Sequence, residues 1–579
     1  MTTPLRDADL MAIQEVRDLM ARAVEAQKIF AEFTQEKVDA VVTAMARAAQ
    51  GAVVPLAQAA HEETGFGNVP DKTIKNQFCC VNLYEAIKDM KTVGILHQDR
   101  EKKIWEVASP LGVVAAIIPS TNPTSTAIFK ALISLKARNA VVISPHPSAK
   151  RCILETARIL NEAARGAGAP DGIIGCLTNP TLEATQELMS HRRTAVILAT
   201  GGHGLVKAAY SSGRPAFGVG PGNVPAYIEQ TANVAKAVHD VINGKTFDYG
   251  TLCSSEQSLI CDETIRDAVV EECKNNGAYF LNDDEIAKIS RVVVTEKFTA
   301  NPMIVGKPAP YIAEQAGLSV PSTTRVLIAP LAGVGRKYPL SIEKLSPVLS
   351  FYVVKDWREG CERCVEVLNF GGLGHTLALH CNDESIIREF ALRKPVFRLV
   401  VNTLASIGAV GYTTGLFPSM TLGCGAPGGN ITSDNISPMH LINIRRVAFE
   451  LREYQPPATH RTQTAPAVAS APSPDRALIA SVVDRFLASK GIFASTSPGG
   501  PDLSATPHLS PESSSSSQKK TFDPPPRVDP TPLRPVDFVS EADVRMAIDS
   551  NEKIAIHGKT IVTPSARDLA EAHDILVRL

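Results

Sequence analysis

Cys253 lies in Lys245-Thr246-Phe247-Asp248-Tyr249-Gly250-Thr251-Leu252-Cys253-Ser254-Ser255-Glu256-Gln257, where small and polar residues surround a single thiol. A structural cysteine is usually flanked by apolar residues, whereas a working thiol needs access and nearby dipoles or cations that favour its thiolate. The segment therefore reads as an exposed nucleophile. Asn122, in Pro119-Ser120-Thr121-Asn122-Pro123, reads by itself as a turn asparagine before proline. Thr200-Gly201-Gly202-His203-Gly204 follows an apolar run and precedes a helical one, so backbone amides there could approach a pyrophosphate. It is not the regular G-x-G-x-x-G fingerprint, and glycines at such a junction can serve the turn alone. Glu343 is either a cofactor contact or a solvated surface glutamate. His375 is either a positioning group or a hydrogen-bonded structural histidine. Cys361 and Cys364 form one C-x-x-C with no second pair at a matching spacing, so they read as structural and no metal site is expected.

These residues need a scaffold, and the apolar pattern supplies one. Leu10 to Ala49 carries apolar residues at helical spacing and predicts amphipathic helices. Gly112 to Pro119 is a continuous apolar run, Thr124 to Ala137 reads as helix, and Ala140 to Ile143 as strand, together a β-α-β unit. Asp171 to Gly175, Thr194 to Ala199, Val224 to Ile228 and Arg325 to Ala329 are further strand candidates. The alternation predicts an α/β fold with largely parallel sheets covered on both faces.

With 579 residues, 44% hydrophobic and 21% charged, the chain can bury a large core. A formal net charge of −1 gives no global pull toward nucleic acid or anionic membrane, and no such partner is expected. The first residues lack a signal-peptide core, and no apolar run approaches the roughly 18 residues of a membrane span, so a cytosolic location is expected. Eleven scattered cysteines fit reduced thiols.

Taken together, Cys253, Asn122, the glycine turn at Gly201, Gly202 and Gly204, and Glu343 in Glu343-Lys344-Leu345-Ser346-Pro347 resemble the ordered motifs of the aldehyde dehydrogenase superfamily. The likeness spans about Gln14 to Glu450 and is strongest to the CoA-acylating branch, such as the propionaldehyde and acetaldehyde dehydrogenases of bacterial microcompartments. The resemblance implies that Cys253 attacks an aldehyde, that Asn122 and the Cys253 backbone N–H hold the oxyanion, and that His375, in Phe370-Gly371-Gly372-Leu373-Gly374-His375-Thr376, helps position cofactor or substrate. It assigns the dinucleotide to Ser120, Thr121, Ser144 and His146 (in Ser144-Pro145-His146-Pro147), Gly201, Gly202, Gly204, Gly220 and Glu343. Many non-acylating relatives have lysine at the Ser144 position, so NAD is expected with NADP left open. Hydrolytic relatives place a glutamate to activate water; the matching stretch here, Gly218-Val219-Gly220-Pro221-Gly222-Asn223, has glycine instead, so coenzyme A is the expected acceptor.

The implied organisation is two doubly wound α/β domains plus a small oligomerisation element. Residues 1–225 would bind the dinucleotide, with an oligomerisation element near 100–110 that includes Lys103 to Ser109. Residues 226–425 would carry Cys253, and 426–455 would return to the oligomerisation and cofactor region. A homo-oligomer is expected. Beyond Leu451 the composition turns to Pro, Ala, Ser and Thr, which is too short and linker-like for an iron-dependent alcohol dehydrogenase domain. Linkers are expected at 456–473 and 494–536. Between them, residues 474–493 hold an amphipathic helix over Asp475 to Lys490, with Leu478, Val482 and Phe486 beside Ile479, Val483 and Leu487, Ser473 and Pro474 at its start and Gly491 at its end. It resembles an encapsulation peptide, which implies a microcompartment shell or cargo partner. Residues 537–579 read as a small module: helix Glu541 to Asp549, strand Lys553 to His557, a turn at Gly558-Lys559, and a helix opening at Thr563-Pro564. A hydrolytic aldehyde dehydrogenase making free acid and a non-catalytic scaffold on the same fold are the alternatives.

Overall fold

The computed structural model describes residues 7–454, 475–489, 535–550, 552–573 and 575–578. The chain divides into two units, Met1–Pro457 and Ala458–Leu579. The first unit is α/β and contains a five-stranded and a seven-stranded sheet, both entirely parallel, and a three-stranded antiparallel sheet. Among the described residues no single helix is long and apolar enough to cross a membrane.

In the five-stranded sheet the strands run in the order Ile174–Cys176, Ala140–Pro145, Val113–Ile118, Thr194–Thr200, Ala216–Val219. Every residue of Val113–Ile118 is buried, as a continuous apolar run in the middle of a parallel sheet should be. From that strand the chain winds outward through Ala140–Pro145, then returns to the other side at Thr194–Thr200. The reversal opens a crevice beyond the carboxyl ends of Val113–Ile118 and Thr194–Thr200, where open α/β sheets take their ligands. Helix Pro123–Lys136 crosses between Val113–Ile118 and Ala140–Pro145 and is buried along its whole length. The expected amphipathic start forms helices Ala8–Phe30 and Gln35–Gly51, capped by the side chains of Asp7 and Thr34. Their buried rows join the core of this sheet, as do Leu252, Ala409, Leu422, Ile436 and Leu441.

The seven-stranded sheet runs Ala278–Phe280, Val326–Pro330, Val348–Val354, Glu256–Asp262, Val224–Ile228, Leu377–His380, Leu399–Val401. Glu256–Asp262 is its centre, fully buried, and Cys253 precedes it by one turn. Cys361 and Cys364 lie on helix Trp357–Phe370 and pack with Tyr227, Val367 and Leu368, away from solvent. The antiparallel sheet pairs Ile104–Pro110 with Ile95–Asp99 on one side and Ile442–Ala448 on the other. It leaves Trp105, Val447 and Phe449 partly exposed, with the Trp105 and Phe449 rings edge to face.

In the second unit, helix Arg476–Ser489 buries none of its residues, and its six large apolar side chains are all exposed. The expected caps Ser473, Pro474 and Gly491, the linker 456–473 and residues 494–534 of the linker expected at 494–536 lie outside the described residues; Val536, expected in that linker, instead begins a strand. The terminal module is a parallel sheet of Val536–Val539, Ile554–Val562 and Leu576–Arg578 with helices Glu541–Ser550 and Pro564–His573. Its small core includes Val539, Val544, Ala566 and Ala570. The expected turn at Gly558-Lys559 does not form, because the strand Ile554–Val562 continues through it. The register jumps from Val536 opposite Ile556 to Phe538 opposite Ile561, so the glycine sits in a bulge, a usual place for glycine inside a strand.

Candidate active site

A cavity of about 450 Å³ fills the crevice at the switch point of the five-stranded sheet. Its lining includes Ser120, Thr121, Asn122, Ser144, His146, Gly201, Gly202, Gly220, Cys253 and Glu343. Ten positions marked in the sequence thus share one cavity, contributed by loops far apart in the chain. Gly204 and His375 are not part of its lining. Gly204 lies inside helix His203–Tyr210, and His375 is buried behind the segment Gly218 to Asn223.

Cys253 is half-buried, less open than its small neighbours imply. Burial, with Glu343 and Cys424 nearby, pushes its thiol up to about 12, against a smaller opposing effect of Arg398. The resting nucleophile is therefore a thiol. Behind it, Gly222 allows an approach that no other residue would permit. A Cβ there would sit 2.1 Å from the Cys253 carbonyl oxygen and 3.1 Å from His375 Cγ. Burial, then Arg398, depresses His375 to about 3, so its ring is neutral; Nδ1 lies 3.0 Å from Thr376 Oγ1 and Nε2 has no partner among the described residues.

Glu343 is held over the cavity by its neighbour. Lys344 Nζ is caged by the carbonyls of Leu340, Ile342 and Gln257 at 2.6, 2.9 and 3.0 Å, which fixes the loop. Glu343 Oε1 accepts the Gly222 N–H at 2.8 Å, and burial raises its carboxyl to about 7. The segment Gly218 to Asn223 itself brings no carboxylate to the site.

Asn122 occupies the N-cap position of helix Pro123–Lys136, yet its side chain makes no capping bond. That separates it from an ordinary turn asparagine. Its Oδ1 accepts from Lys75 Nζ at 2.6 Å, and its Nδ2 reaches Thr121 Oγ1 at 3.2 Å and the Thr251 carbonyl at 3.4 Å. Lys72, Lys75 and Asp248, all buried, were not marked by sequence reasoning. Lys72 and Lys75 lie one turn apart on helix Val69–Gln77, and their spacing puts them on one face, but buried lysines run against the usual rule. Burial lowers Lys75 to about 8, with Asp248 opposing; burial works to raise Asp248, but Lys75 and Lys72 outweigh it and hold the carboxyl low.

The cavity also suits a dinucleotide. Ile117, Ile118, Pro145, Pro180, Leu182 and Leu205 make an apolar wall. Thr200 Oγ1 is buried without a partner among the described residues, and the N-terminus of helix His203–Tyr210 has no side-chain cap. Ser144 donates to or accepts from Thr185 Oγ1 at 2.9 Å on the same wall. Unpaired donors beside a flat apolar slot fit an adenine and pyrophosphate.

Comparison with known proteins agrees with this geometry. Residues 3–285 match the model of the aldehyde dehydrogenase family. The chain is 45% identical over 441 residues to the bifunctional aldehyde-alcohol dehydrogenase AdhE of Escherichia coli strain K12, covering 75% of this chain and 49% of that protein. It thus spans about half the length of that relative. An acetylating aldehyde dehydrogenase from Geobacillus thermoglucosidasius is 55% identical, with a TM-score of 0.77, over 78% of this chain and all (100%) of that one. A propionaldehyde dehydrogenase from the fucose utilisation bacterial microcompartment of Clostridium phytofermentans is 29% identical, with a TM-score of 0.67, over 75% and 97% of the two chains. A thiol, an amide and a dinucleotide slot at one switch point, on a chain alike over the full length of a solved acetylating enzyme, lead to one assignment: the chain belongs to the aldehyde dehydrogenase family.

Proposed function

We propose that the chain oxidises a short aliphatic aldehyde, propionaldehyde or acetaldehyde, to its CoA thioester with reduction of NAD. The observation that carries this reading is the convergence of the Cys253 thiol and the Asn122 amide on one cavity whose Gly218 to Asn223 wall lacks a water-activating carboxylate. Likeness to acetylating relatives supports it. When bound, the nicotinamide accepts the hydride that leaves the aldehyde carbon. Cys253 Sγ gives up its proton to solvent and forms a bond to that carbon as the C=O electron pair moves to oxygen, and Asn122 Nδ2 with the Cys253 backbone N–H holds the oxyanion. Loss of the hydride restores the C=O and leaves a thioester on Cys253. The CoA thiol attacks it, the CoA thiol proton passes to the departing Cys253 sulfur, and His375, behind the nucleophile, serves as a positioning group. Aldehyde, NAD⁺ and CoA thiol thereby give acyl-CoA, NADH and a proton. Ser120, Thr121, Ser144, His146, Gly201, Gly202, Gly204, Gly220 and Glu343 are the residues we assign to the dinucleotide.

The exposed stripe of helix Arg476–Ser489 supports its reading as an encapsulation peptide that meets a microcompartment shell or cargo protein, and the partly exposed Trp105, Val447 and Phe449 support a homo-oligomer formed through the antiparallel sheet. One observation favours a second reading: Glu343 lines the cavity with its carboxyl raised to about 7, a poised base for water. The measurement that decides is NADH formation from NAD and propionaldehyde, with and without CoA, on wild type and Cys253→Ala, with product identification. Turnover to propionyl-CoA that requires CoA and vanishes in Cys253→Ala is expected. Sustained CoA-independent release of propionate, lost in Glu343→Gln, would establish the hydrolytic reading instead. Absence of turnover with several aldehydes would favour a scaffold.

A further inference from the structure

The buried cluster behind Asn122 has a direction built into it. Lys75 Nζ donates to Asn122 Oδ1 at 2.6 Å and also to the Asp248 carboxylate. Lys72 Nζ donates to Asp248 Oδ2 at 3.0 Å and to the Thr121 carbonyl at 3.4 Å. Thr251 Oγ1 donates to Asp248 Oδ2 at 2.6 Å, and the Asn68 N–H to Asp248 Oδ1 at 2.8 Å. An ammonium has three donors and no acceptor. The amide end that faces Lys75 must therefore be the oxygen, which turns Nδ2 and its hydrogens the other way. Those hydrogens meet only the long contacts to Thr121 and Thr251, and Asn122 itself lines the cavity that holds Cys253.

Asp248 ties the same device to the nucleophile. Asp248 and Tyr249 are consecutive non-glycine residues in the left-handed region, at φ 48° and 52°, in the turn that leads to Cys253. Such conformations persist only where the surroundings over-determine them. Here the carboxylate is anchored by two lysines, a threonine and a backbone N–H, and Asp71 Oδ2 accepts the Asp248 N–H at 2.7 Å. Gly67 (φ +66° at Gly65 and +64° at Gly67 mark the loop) leaves the space the carboxylate fills; a Cβ on Gly67 would fall 1.8 Å from Asp248 Oδ1. A purely stabilising role is a weak account of such a cluster, since buried ion pairs gain little over apolar packing of the same volume.

We propose that Lys75, held by Asp248, is a positioning residue that fixes the Asn122 amide with Nδ2 toward the carbon attacked by Cys253. This rests on the reading of Asn122 as the oxyanion donor. A charged partner on the amide oxygen also polarises the amide and strengthens Nδ2–H as a donor. One carboxylate thereby aligns both the turn that carries the nucleophile and the lysine that orients the donor.

The test is a double-mutant cycle on the full chain with Lys75→Met and Asn122→Ala, measuring kcat, aldehyde KM, the rate of Cys253 alkylation by iodoacetamide, and the thermal midpoint. Lys75→Met is expected to lower kcat about 10- to 100-fold, somewhat less than loss of an oxyanion donor, with KM and alkylation within about threefold. Added to Asn122→Ala, it should cost less than about twofold more, because Lys75 acts through the amide. Equal losses in both backgrounds would overturn the proposal, as would full kcat in Lys75→Met when Asn122→Ala is impaired. Full kcat in Asn122→Ala would instead sink the oxyanion reading on which it rests. If Lys75→Met does not fold, Lys75→Leu, which likewise has no donor for Asn122 Oδ1, carries the same cycle with the same outcomes.

Discussion

At the residue scale, the thiol is the least expected part of the site. The flanking Ser254 and Ser255 suggest an open, activated cysteine, whereas burial pushes Cys253 up to about 12, and Arg398 and a backbone hydrogen bond pull the other way less strongly. Raising a thiol pKa disfavours the thiolate at neutral pH. Alkylation of Cys253 by iodoacetamide in the cofactor-free protein should thus be slow at pH 7 and rise about tenfold per pH unit to pH 10, followed by mass spectrometry of its peptide. A plateau below pH 8 would mean that a base within the resting site already takes the proton. Cys253, Asn122 and Glu343 were legible because their neighbours form recognisable strings. Lys72, Lys75 and Asp248 were not, because a lysine that serves an asparagine across a separation of 47 residues leaves no local pattern.

At the scale of elements, legibility followed burial on both faces. The strand expected at Val224 to Ile228 is found with those bounds, and the run at Gly112 to Pro119 forms Val113–Ile118, since a fully buried parallel strand writes itself as an unbroken apolar run. Glycines were less readable, because their use depends on what approaches them from elsewhere in the chain. Gly222 reads as part of a glycine-rich turn, yet its role is to let the backbone pass between Cys253 and His375. Gly222→Ala should therefore destabilise the first unit by about 1–3 kcal/mol, as overpacking does, and lower kcat at least about tenfold by displacing the nucleophile. Thermal melts beside single-turnover assays check this. An alanine variant with native kcat would show that the Cys253 carbonyl can yield without moving the thiol.

At the scale of the whole molecule, the switch point of the five-stranded sheet explains why residues from distant parts of the sequence reach one cavity: they sit at or just beyond strand ends or on loops that cross them. Every residue assigned to chemistry or cofactor lies within the first unit, Met1–Pro457, which has its own cores. The terminal module likewise has a core of its own, centred on Val539, Val544 and Ala570, while helix Arg476–Ser489 has none. A short helix with no packed face gains little stability from its own hydrogen bonds, so its apolar stripe calls for a covering surface. Removing residues 456–579 should then leave kcat and aldehyde KM within about twofold and the thermal midpoint of the first unit within a few degrees, as expected when a separate unit is lost. The same truncation should abolish co-sedimentation with microcompartment shells, and replacing Leu478, Val482 and Phe486 by serine in the full chain should do so without touching kinetics. If the truncated protein loses activity, the second unit is part of the enzyme; if it still sediments with shells, the stripe is covered by something other than a shell partner.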